Sequence, residues 1–339
     1  MKRIAMFYGG RSFEREISIL SAIQAGTFFP GEYELLPIYM ADGKLYLKKD
    51  YKVFSSYIDG KNGKEVSFTS GGLKTKLKYY KIDCALVVNH GGEGEDGTLS
   101  ALLEYYDIPY TSASHSASCV CMDKRLTKIV LSSYGFCVTP EWNKTDYPCI
   151  LKPTVLGSSI GIQIANNAEE YEKCKEAIRE FGDYIVEPLL TDAQELNCAV
   201  CMRSGTPVAS VIERPIRKSD ILDFDDKYRS GEREIPAEID EDLKVLIQKT
   251  SIRIYKKLSL FGVVRIDYLY RNGELFVNEI NTVPGSLSYY LFSESGTNFE
   301  TLLRTLIEEG IARGNKKRPQ YDTGVIRDYA LGFKGTKTK

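Results

Sequence analysis

The stretch Val264-Arg265-Ile266-Asp267-Tyr268-Leu269-Tyr270-Arg271-Asn272-Gly273-Glu274-Leu275-Phe276-Val277-Asn278-Glu279-Ile280-Asn281-Thr282-Val283-Pro284-Gly285 decides how the chain is read. Two β-branched and aromatic runs flank an Arg-Asn-Gly turn, the pattern of a β-hairpin. A three-residue loop of Arg271, Asn272 and Gly273, with Gly273 left-handed, sets Asp267 opposite Val277. Arg265, Asp267, Glu279 and Asn281 then project from one face of the ribbon. A two-residue Asn-Gly loop shifts the register by one and turns Asp267 away from Glu279. Two carboxylates and an amide oxygen beside an arginine suit Mg²⁺ held partly by substrate phosphates. The plain alternative is a solvated hairpin face. Against it stand polar residues alternating inside such apolar strands.

The chain has 339 residues, 43% hydrophobic and 27% charged, which suits an ordinary globular protein of two or three domains. A formal net charge of −1 supplies no basic surface for nucleic acid or an anionic membrane. No apolar stretch reaches transmembrane length. The segment Met1–Tyr8 enters a strand pattern at once and lacks a signal-peptide cleavage region, so a cytoplasmic protein is expected. Only two histidines occur, which excludes a histidine-rich site. The eight cysteines lack paired zinc spacing, even at Cys119/Cys121 and Cys198/Cys201. All eight are expected to be reduced and mostly structural, with Cys84, Cys149 and Cys198 inside apolar runs.

Residues 1–112 read as β-α-β-α. KRIAMFYGG (2–10) and CALVVNHGG (84–92) are strands ending in glycines. Glu14–Ala25, with Ile17, Ile19, Leu20 and Ile23 at helical spacing, and Thr98–Tyr106 are helices. This alternation predicts a parallel sheet with ligands at the carboxyl ends of its strands. Residues 43–80 predict an irregular or hairpin-containing excursion. A second segment, 113–188, predicts a helix over Met122–Tyr134, the strand YPCILKP, and a glycine-serine loop entering a strand in GSSIGIQIA. A helix over Ala168–Phe181 and the strand DYIVEPLL follow. A third segment, 189–320, predicts strands NCAVCMRSG and VASVIERP, a polar loop over Lys218–Arg233 and a helix near Asp240–Leu258. The hairpin and a closing helix over Phe299–Ala312 complete it. Residues 321–339 form a tail, and partial disorder is expected from Lys316 onward.

Several constellations carry chemistry. In Lys152-Pro-Thr-Val-Leu-Gly157-Ser158-Ser159-Ile-Gly161, glycines admit an anion to backbone N–H groups and Lys152 adds charge. The lysine precedes the glycines, so this is not a Walker A loop. Alone, such a loop is usually a plain connection. Lys124 opens a helix against its dipole, which either a function or a solvated side chain explains. Glu187 and Glu195 are candidates for adenine or ribose contacts; each in isolation reads as surface. His90-Gly-Gly-Glu-Gly-Glu95-Asp96-Gly97 is a tight turn suited to a charged amino-acid ligand, or a helix cap at Asp96 or Thr98. Gly9-Gly10-Arg11-Ser12-Phe13-Glu14 lacks the dinucleotide fingerprint, and Glu14 is favoured at a helix start in any case.

Taken together, GGRSFEREIS, HGGEGEDGTL, IPYTSASHSAS, CMDKRLTK, LKPTVLGSSIGI, DDKY and RIDYLY…NEINTVPG resemble the D-alanine–D-alanine ligase family, in collinear order over about residues 3–310. The resemblance implies an α/β, three-domain ATP-grasp architecture. An N-terminal substrate-binding unit (1–112) would join a central (113–188) and a C-terminal (189–320) subdomain that clasp ATP. It implies a ligase that phosphorylates one D-amino acid and couples it to a second for peptidoglycan precursor synthesis. The cofactors implied are ATP and two Mg²⁺ ions, with Mn²⁺ an alternative. A homodimer is the implied assembly.

Residue by residue, the resemblance assigns ATP phosphates to Lys124, Lys152 and, from a mobile loop, Lys227. The serines Ser158 and Ser159 stand in the phosphate loop, and Glu187 and Glu195 match the adenine- and ribose-binding acids. Asp267, Glu279 and Asn281 match the metal ligands. Arg265 and the Gly285 N–H would stabilise the oxyanion. Glu14 would bind the first ammonium, with Ser158 and Tyr228 as hydrogen-bonding partners, and His90 would lie near the first carboxylate. Tyr290 and Leu291 fall at the second-substrate site. Tyr290 stands where the family carries a serine, and Ser100 and Ala101 replace a common Gln-Gly; both departures touch the acceptor. Tyr228 favours an amine acceptor over a hydroxy acid. Competing readings are another ATP-grasp carboxylate–amine ligase and a non-catalytic nucleotide-binding relative. A dinucleotide-dependent dehydrogenase fits least, since its glycine fingerprint is missing.

Overall fold

The protein is described by a computed structural model covering residues 1–60, 62–216, 232–314 and 322–332. Its first sheet has seven strands: β1 (Lys2–Gly9), β2 (Tyr33–Ala41), β3 (Lys44–Leu47), β4 (Lys64–Thr69), β5 (Gly72–Lys74), β6 (Tyr79–Lys81) and β7 (Cys84–Val87). Their order is β6-β5-β4-β3-β2-β1-β7. β1 runs parallel to β2 and to β7, as the β-α-β alternation predicted. The excursion 43–80 widens the sheet through antiparallel hairpins and carries the single turn α2 (Ser55–Ile58), after α1 (Arg15–Thr27). α1 does not bury the expected apolar stripe. Leu20 is half exposed, while Ser18, Ile19, Ser21, Ala22 and Ala25 are buried. Small side chains let the helix lie close to β1. There Gly9 N–H donates to Ser18 Oγ at 2.8 Å, and Ser18 donates on to the Val88 carbonyl at 2.8 Å. The helix α3 (Thr98–Tyr105) joins the same core.

The helix expected over Met122–Tyr134 is α5 (Lys124–Ser133), and a further helix that the sequence did not announce, α4 (His115–Met122), precedes it. Asp123 breaks the chain between them in extended conformation. Its Oδ1 accepts the N–H groups of Arg125 (2.8 Å) and Leu126 (3.2 Å). This cap satisfies orphan donors and sets a carboxylate at the helix start, offsetting the unfavourable Lys124. A second sheet, β8 (Cys149–Pro153), β9 (Gln163–Ala165) and β10 (Tyr184–Pro188), lies in the order β10-β8-β9. With α6 (Ala168–Ile178) it encloses a small core of Trp142, Cys149, Leu151, Ala165 and Ile178.

The third sheet is antiparallel, ordered β13-β12-β11-β14-β15, with β11 (Gln194–Arg203), β12 (Thr206–Pro215), β13 (Arg233–Glu234), β14 (Val264–Arg271) and β15 (Glu274–Asn281). α7 (Glu241–Lys257) packs across it through Leu243, Ile247 and Ile254. After the sheet, α8 (Tyr289–Ser293) and α9 (Phe299–Gly314) return to the first sheet's core through Leu291, Leu302, Leu303, Leu306 and Ile307. The polar loop expected over Lys218–Arg233 lies outside the described residues save for Glu232 and Arg233, and Arg233 opens β13. In the tail, a short α10 (Val325–Ala330) is present among the described residues. All eight cysteines are free. No helix among the described residues is long and apolar enough to cross a membrane.

The hairpin corrects one expectation. Its loop has two residues, not three. Arg271 pairs with Glu274, and Asn272 (φ 51°) and Gly273 (φ 84°) are both left-handed, as a tight hairpin turn requires. This turn alone would set Asp267 against Asn278. A bulge between the Tyr268–Val277 and Asp267–Glu279 pairs takes up one residue, and Asp267 pairs directly with Glu279. Arg265 pairs with Asn281. The expected face is therefore built, by turn and bulge together.

Candidate active site

Register carries the polar row of the hairpin across four strands of the third sheet. Glu213 on β12 pairs with Asn197 on β11, Asn197 with Asp267 on β14, and Asp267 with Glu279 on β15. Arg265 grips Asp267 with both ends of its fork, Nε to Oδ1 and Nη2 to Oδ2, each at 2.7 Å. Burial opposes the arginine's charge, but the Asp267 carboxylate outweighs it and holds the guanidinium well above its ordinary value. Asn281 Nδ2 donates to Asp267 Oδ2 at 3.0 Å, which leaves Asn281 Oδ1 as an acceptor. Hard oxygens of Asp267, Glu279 and Asn281 are thus gathered on one ribbon face. Among the described residues no group of three or more His, Cys, Asp or Glu is placed to hold a metal. This donor set fits Mg²⁺ that completes its coordination with phosphate and water.

One cavity beside this face has apolar walls from Ile150, Ile162, Leu189 and Leu269. Lys124, Lys152, Ser159, Glu195 and Glu279 also line it. The bulge residue Asn278 points here, and its Oδ1 accepts from Lys152 Nζ at 3.1 Å. Lys124 Nζ donates to the Leu156 carbonyl at 2.5 Å. Glu187 is buried beneath the lysines. It accepts from Lys152 Nζ at 2.7 Å and Thr139 Oγ1 at 2.8 Å, and it ion-pairs with Lys128. Burial alone would raise its pKa, yet the Lys152 and Lys128 ammoniums pull it down to about 2. Lys128 carries the opposite burden: burial depresses it despite the partner carboxylate. The favourable term is therefore the ionisation of Glu187, set against the desolvation of Lys128.

A second cavity, sharing Glu195 with the first, is lined by Glu14, Ser21, His90, Glu95, Arg265, Asn281, Gly285 and Tyr290. Ser158, left-handed at φ 54°, donates its hydroxyl to Glu14, and so ties the glycine-serine loop to the start of α1. Glu95 accepts from Gly91 N–H and Val283 N–H at 2.8 Å each. Burial, and then the like charge of Glu14, push its pKa up to about 8 in spite of these donors. Gly91 has φ 62°, and a Cβ there would fall 2.6 Å from Glu14 Oε2, so glycine is required.

The His90 ring is fully enclosed. Nδ1 lies 2.6 Å from the Val283 carbonyl and Nε2 lies 2.7 Å from Ser21 Oγ. Burial lowers its pKa. The neutral ring therefore donates from Nδ1 and accepts from Ser21. Ser21 Oγ in turn accepts Ser286 N–H at 3.0 Å. This relay pins a strained turn, since Ser286, Leu287 and Ser288 are all left-handed, at φ 51°, 50° and 45°. Ser21→Ala strands both Ser286 N–H and His90 Nε2. It is expected to lose about 1–3 kcal/mol of stability by urea denaturation and to slow turnover.

Tyr290 reaches the second cavity and donates to Glu213 Oε2 at 3.3 Å; burial, then the Glu213 charge, push it up to about 12. Leu291 is fully buried in the core of the first sheet. Lys227 and Tyr228 lie outside the described residues. Sequence reasoning missed Lys128, Ser21, Asn197, Glu213 and Arg233. Lys128 was within reach, because it follows Lys124 by four residues on one helix and shares its face. The others are joined to the site only by tertiary register.

The family profile described as D-ala D-ala ligase N-terminus matches residues 3–113, and that described as D-ala D-ala ligase C-terminus matches residues 135–308. A D-alanine–D-alanine ligase of Thermosipho melanesiensis is 34% identical, covering 96% of this chain and 99% of its own. One from Sulfurovum sp. is 36% identical, covering 86% and 89%. Among solved structures, the D-alanine–D-alanine ligase of Coxiella burnetii superposes with TM-score 0.81 at 26% identity, over 97% of this chain and 98% of that one. The VanG D-Ala:D-Ser ligase of Enterococcus faecalis gives TM-score 0.80 at 27% identity, over 91% and 99%. Motifs and fold agree with these likenesses: the chain belongs to the D-alanine–D-alanine ligase family, with its ATP-grasp fold.

Proposed function

We propose that this protein uses ATP to join two D-amino acids, D-alanine first and D-alanine or a close relative second, for a peptidoglycan precursor. One observation carries the reading. The ribbon face that carries Asp267 gives Glu279 to an apolar-walled, lysine-bearing cavity and Arg265 and Asn281 to one lined by Glu14 and His90, and Glu195 lines both cavities. A nucleotide in the first cavity would lay its base between Ile150, Ile162, Leu189 and Leu269, with Glu195 at the edge. Its phosphates would meet Lys124, Lys152 and the Ser158–Ser159 turn. Glu187 acts on the nucleotide indirectly, by seating Lys152 and Lys128. Asp267, Glu279 and Asn281 would hold Mg²⁺, as two ions or with Mn²⁺ in their place, which when bound neutralise phosphate charge.

The first amino acid would set its ammonium against Glu14 and its carboxylate toward His90 and Arg265. Its carboxylate oxygen attacks the γ-phosphorus and ADP leaves. The amine of the second attacks the resulting acylphosphate carbonyl, phosphate leaves and the amine loses a proton. The Arg265 guanidinium and Gly285 N–H stabilise the oxyanion formed between these events. Lys227 and Tyr228, which lie outside the described residues, would complete the site. A cytoplasmic setting, a homodimeric assembly and the division at 1–112, 113–188 and 189–320 belong to the same reading. Incubation with ATP, Mg²⁺ and pooled D- and L-amino acids should release ADP and yield a D,D-dipeptide, identified by mass and chirality. ADP release without a dipeptide, or an L-configured product, would overturn the reading.

A further inference from the structure

The far end of the second cavity is built around Glu213. This residue is 2% exposed, and its carboxylate accepts three donors: Asn197 Nδ2 at 3.1 Å, Tyr290 Oη at 3.3 Å and Arg233 Nη1 at 3.2 Å. The Arg233 guanidinium stands over the Tyr290 ring, 5.5 Å from its centroid. All four residues line the cavity that also holds Arg265, Asn281 and Gly285. Nothing in the phosphate chemistry calls for a buried glutamate here. Such a charge persists only when paired, and pairing it has fixed two neighbours in place.

We propose that Glu213 sets the choice of second substrate, by neutralising Arg233 and seating Tyr290, so that small uncharged side chains enter and acidic ones are excluded. This rests on the ligase reading above. Tyr290 limits the room at this end with its ring. The Glu213 carboxylate faces Arg233, and Glu195 and Glu232 line the same cavity. An acidic side chain entering there meets carboxylates with the nearest guanidinium already matched, which selects against it by repulsion. Glu213 acts through Arg233 and Tyr290, so it is a positioning residue rather than a catalytic one.

Glu213→Gln keeps the shape and removes the charge. Hydroxylamine added with D-alanine, ATP and Mg²⁺ traps the acylphosphate as a hydroxamate, and so reads every event before the acceptor binds. The variant should form hydroxamate within about twofold of the wild-type rate, while the KM for the acceptor D-alanine rises about tenfold or more. Its preference for D-alanine over D-aspartate as acceptor should fall about tenfold or more, because the wall beside Arg233 then carries one negative charge fewer. Glu213→Gln with Arg233→Gln should lose that gain for D-aspartate. Tyr290→Phe, which keeps the ring, should raise the acceptor KM without changing the D-aspartate discrimination. The proposal is overturned if Glu213→Gln leaves acceptor KM and the D-alanine to D-aspartate ratio as in the wild type. A parallel loss of hydroxamate formation overturns it equally. No hydroxamate and no dipeptide from the wild-type protein would instead bring down the ligase reading, and this proposal with it.

Discussion

Asp267→Ala is expected to lower ADP release about a thousandfold or more and to destabilise the fold by about 3–5 kcal/mol. Two separate losses combine. The first is chemical: Asp267 is central to the oxygen face, paired with Glu279 and bonded by Asn281, so charge neutralisation at the transferring phosphate fails. The second is structural. Arg265 is largely buried, and both arms of its fork end on Asp267. Truncating the carboxylate leaves a buried guanidinium without its counter-charge, the costly way to break an internal ion pair. A second substitution separates the two losses. Adding Arg265→Met removes the stranded charge and should recover most of the stability in urea denaturation, while ADP release stays low. If the double variant is as unstable as the single one, Asp267 supports the fold by some route other than Arg265.

The hairpin was legible because its apolar alternation is local and its polar residues break that alternation. Its loop was not. Asn272-Gly273 favours a two-residue turn, and the turn alone puts Asp267 on the wrong face; only the bulge at Asn278 restores it. A bulge has no local sequence mark here, because the reason for it is distant: it aims Asn278 at Lys152, 126 residues away. The helix α1 was placed correctly but its buried face was not, since serines at 18 and 21 are buried by bonds to Gly9, Val88, His90 and Ser286 rather than by hydrophobicity. The helix α5 was placed to within two residues of its ends, while α4 before it went unmarked, because His115–Met122 is a run of small and polar residues with no broad apolar stripe. Glu213 stayed hidden for a further reason. Its strand reads as plain apolar alternation, and its meaning comes from the cross-sheet row that ends at Glu279.

Acid is expected to weaken the native protein in a particular window through Glu187. Its folded value, about 2, lies below the ordinary 4.5, so between these the unfolded chain binds the proton first. The stabilisation is therefore complete above about pH 4.5 and is lost as pH falls toward 2. The gap is worth roughly 3 kcal/mol. Glu187→Gln should remove this contribution and leave the Lys128 and Lys152 ammoniums facing one another over an amide. A loss of about 3–5 kcal/mol at neutral pH follows, together with weaker nucleotide binding, because Lys152 is no longer held in place. Urea denaturation of both proteins across pH provides the check. The wild-type advantage should be constant above about pH 5 and shrink steadily below 4.5, since protonated glutamate and glutamine are then near equivalents. Parallel curves down to pH 3 would mean that Glu187 does not carry the charge that seats the two lysines. Lys128→Met adds the converse test: with the ammonium that burial disfavours removed, it should lose less stability than Glu187→Gln, even though both break the same ion pair.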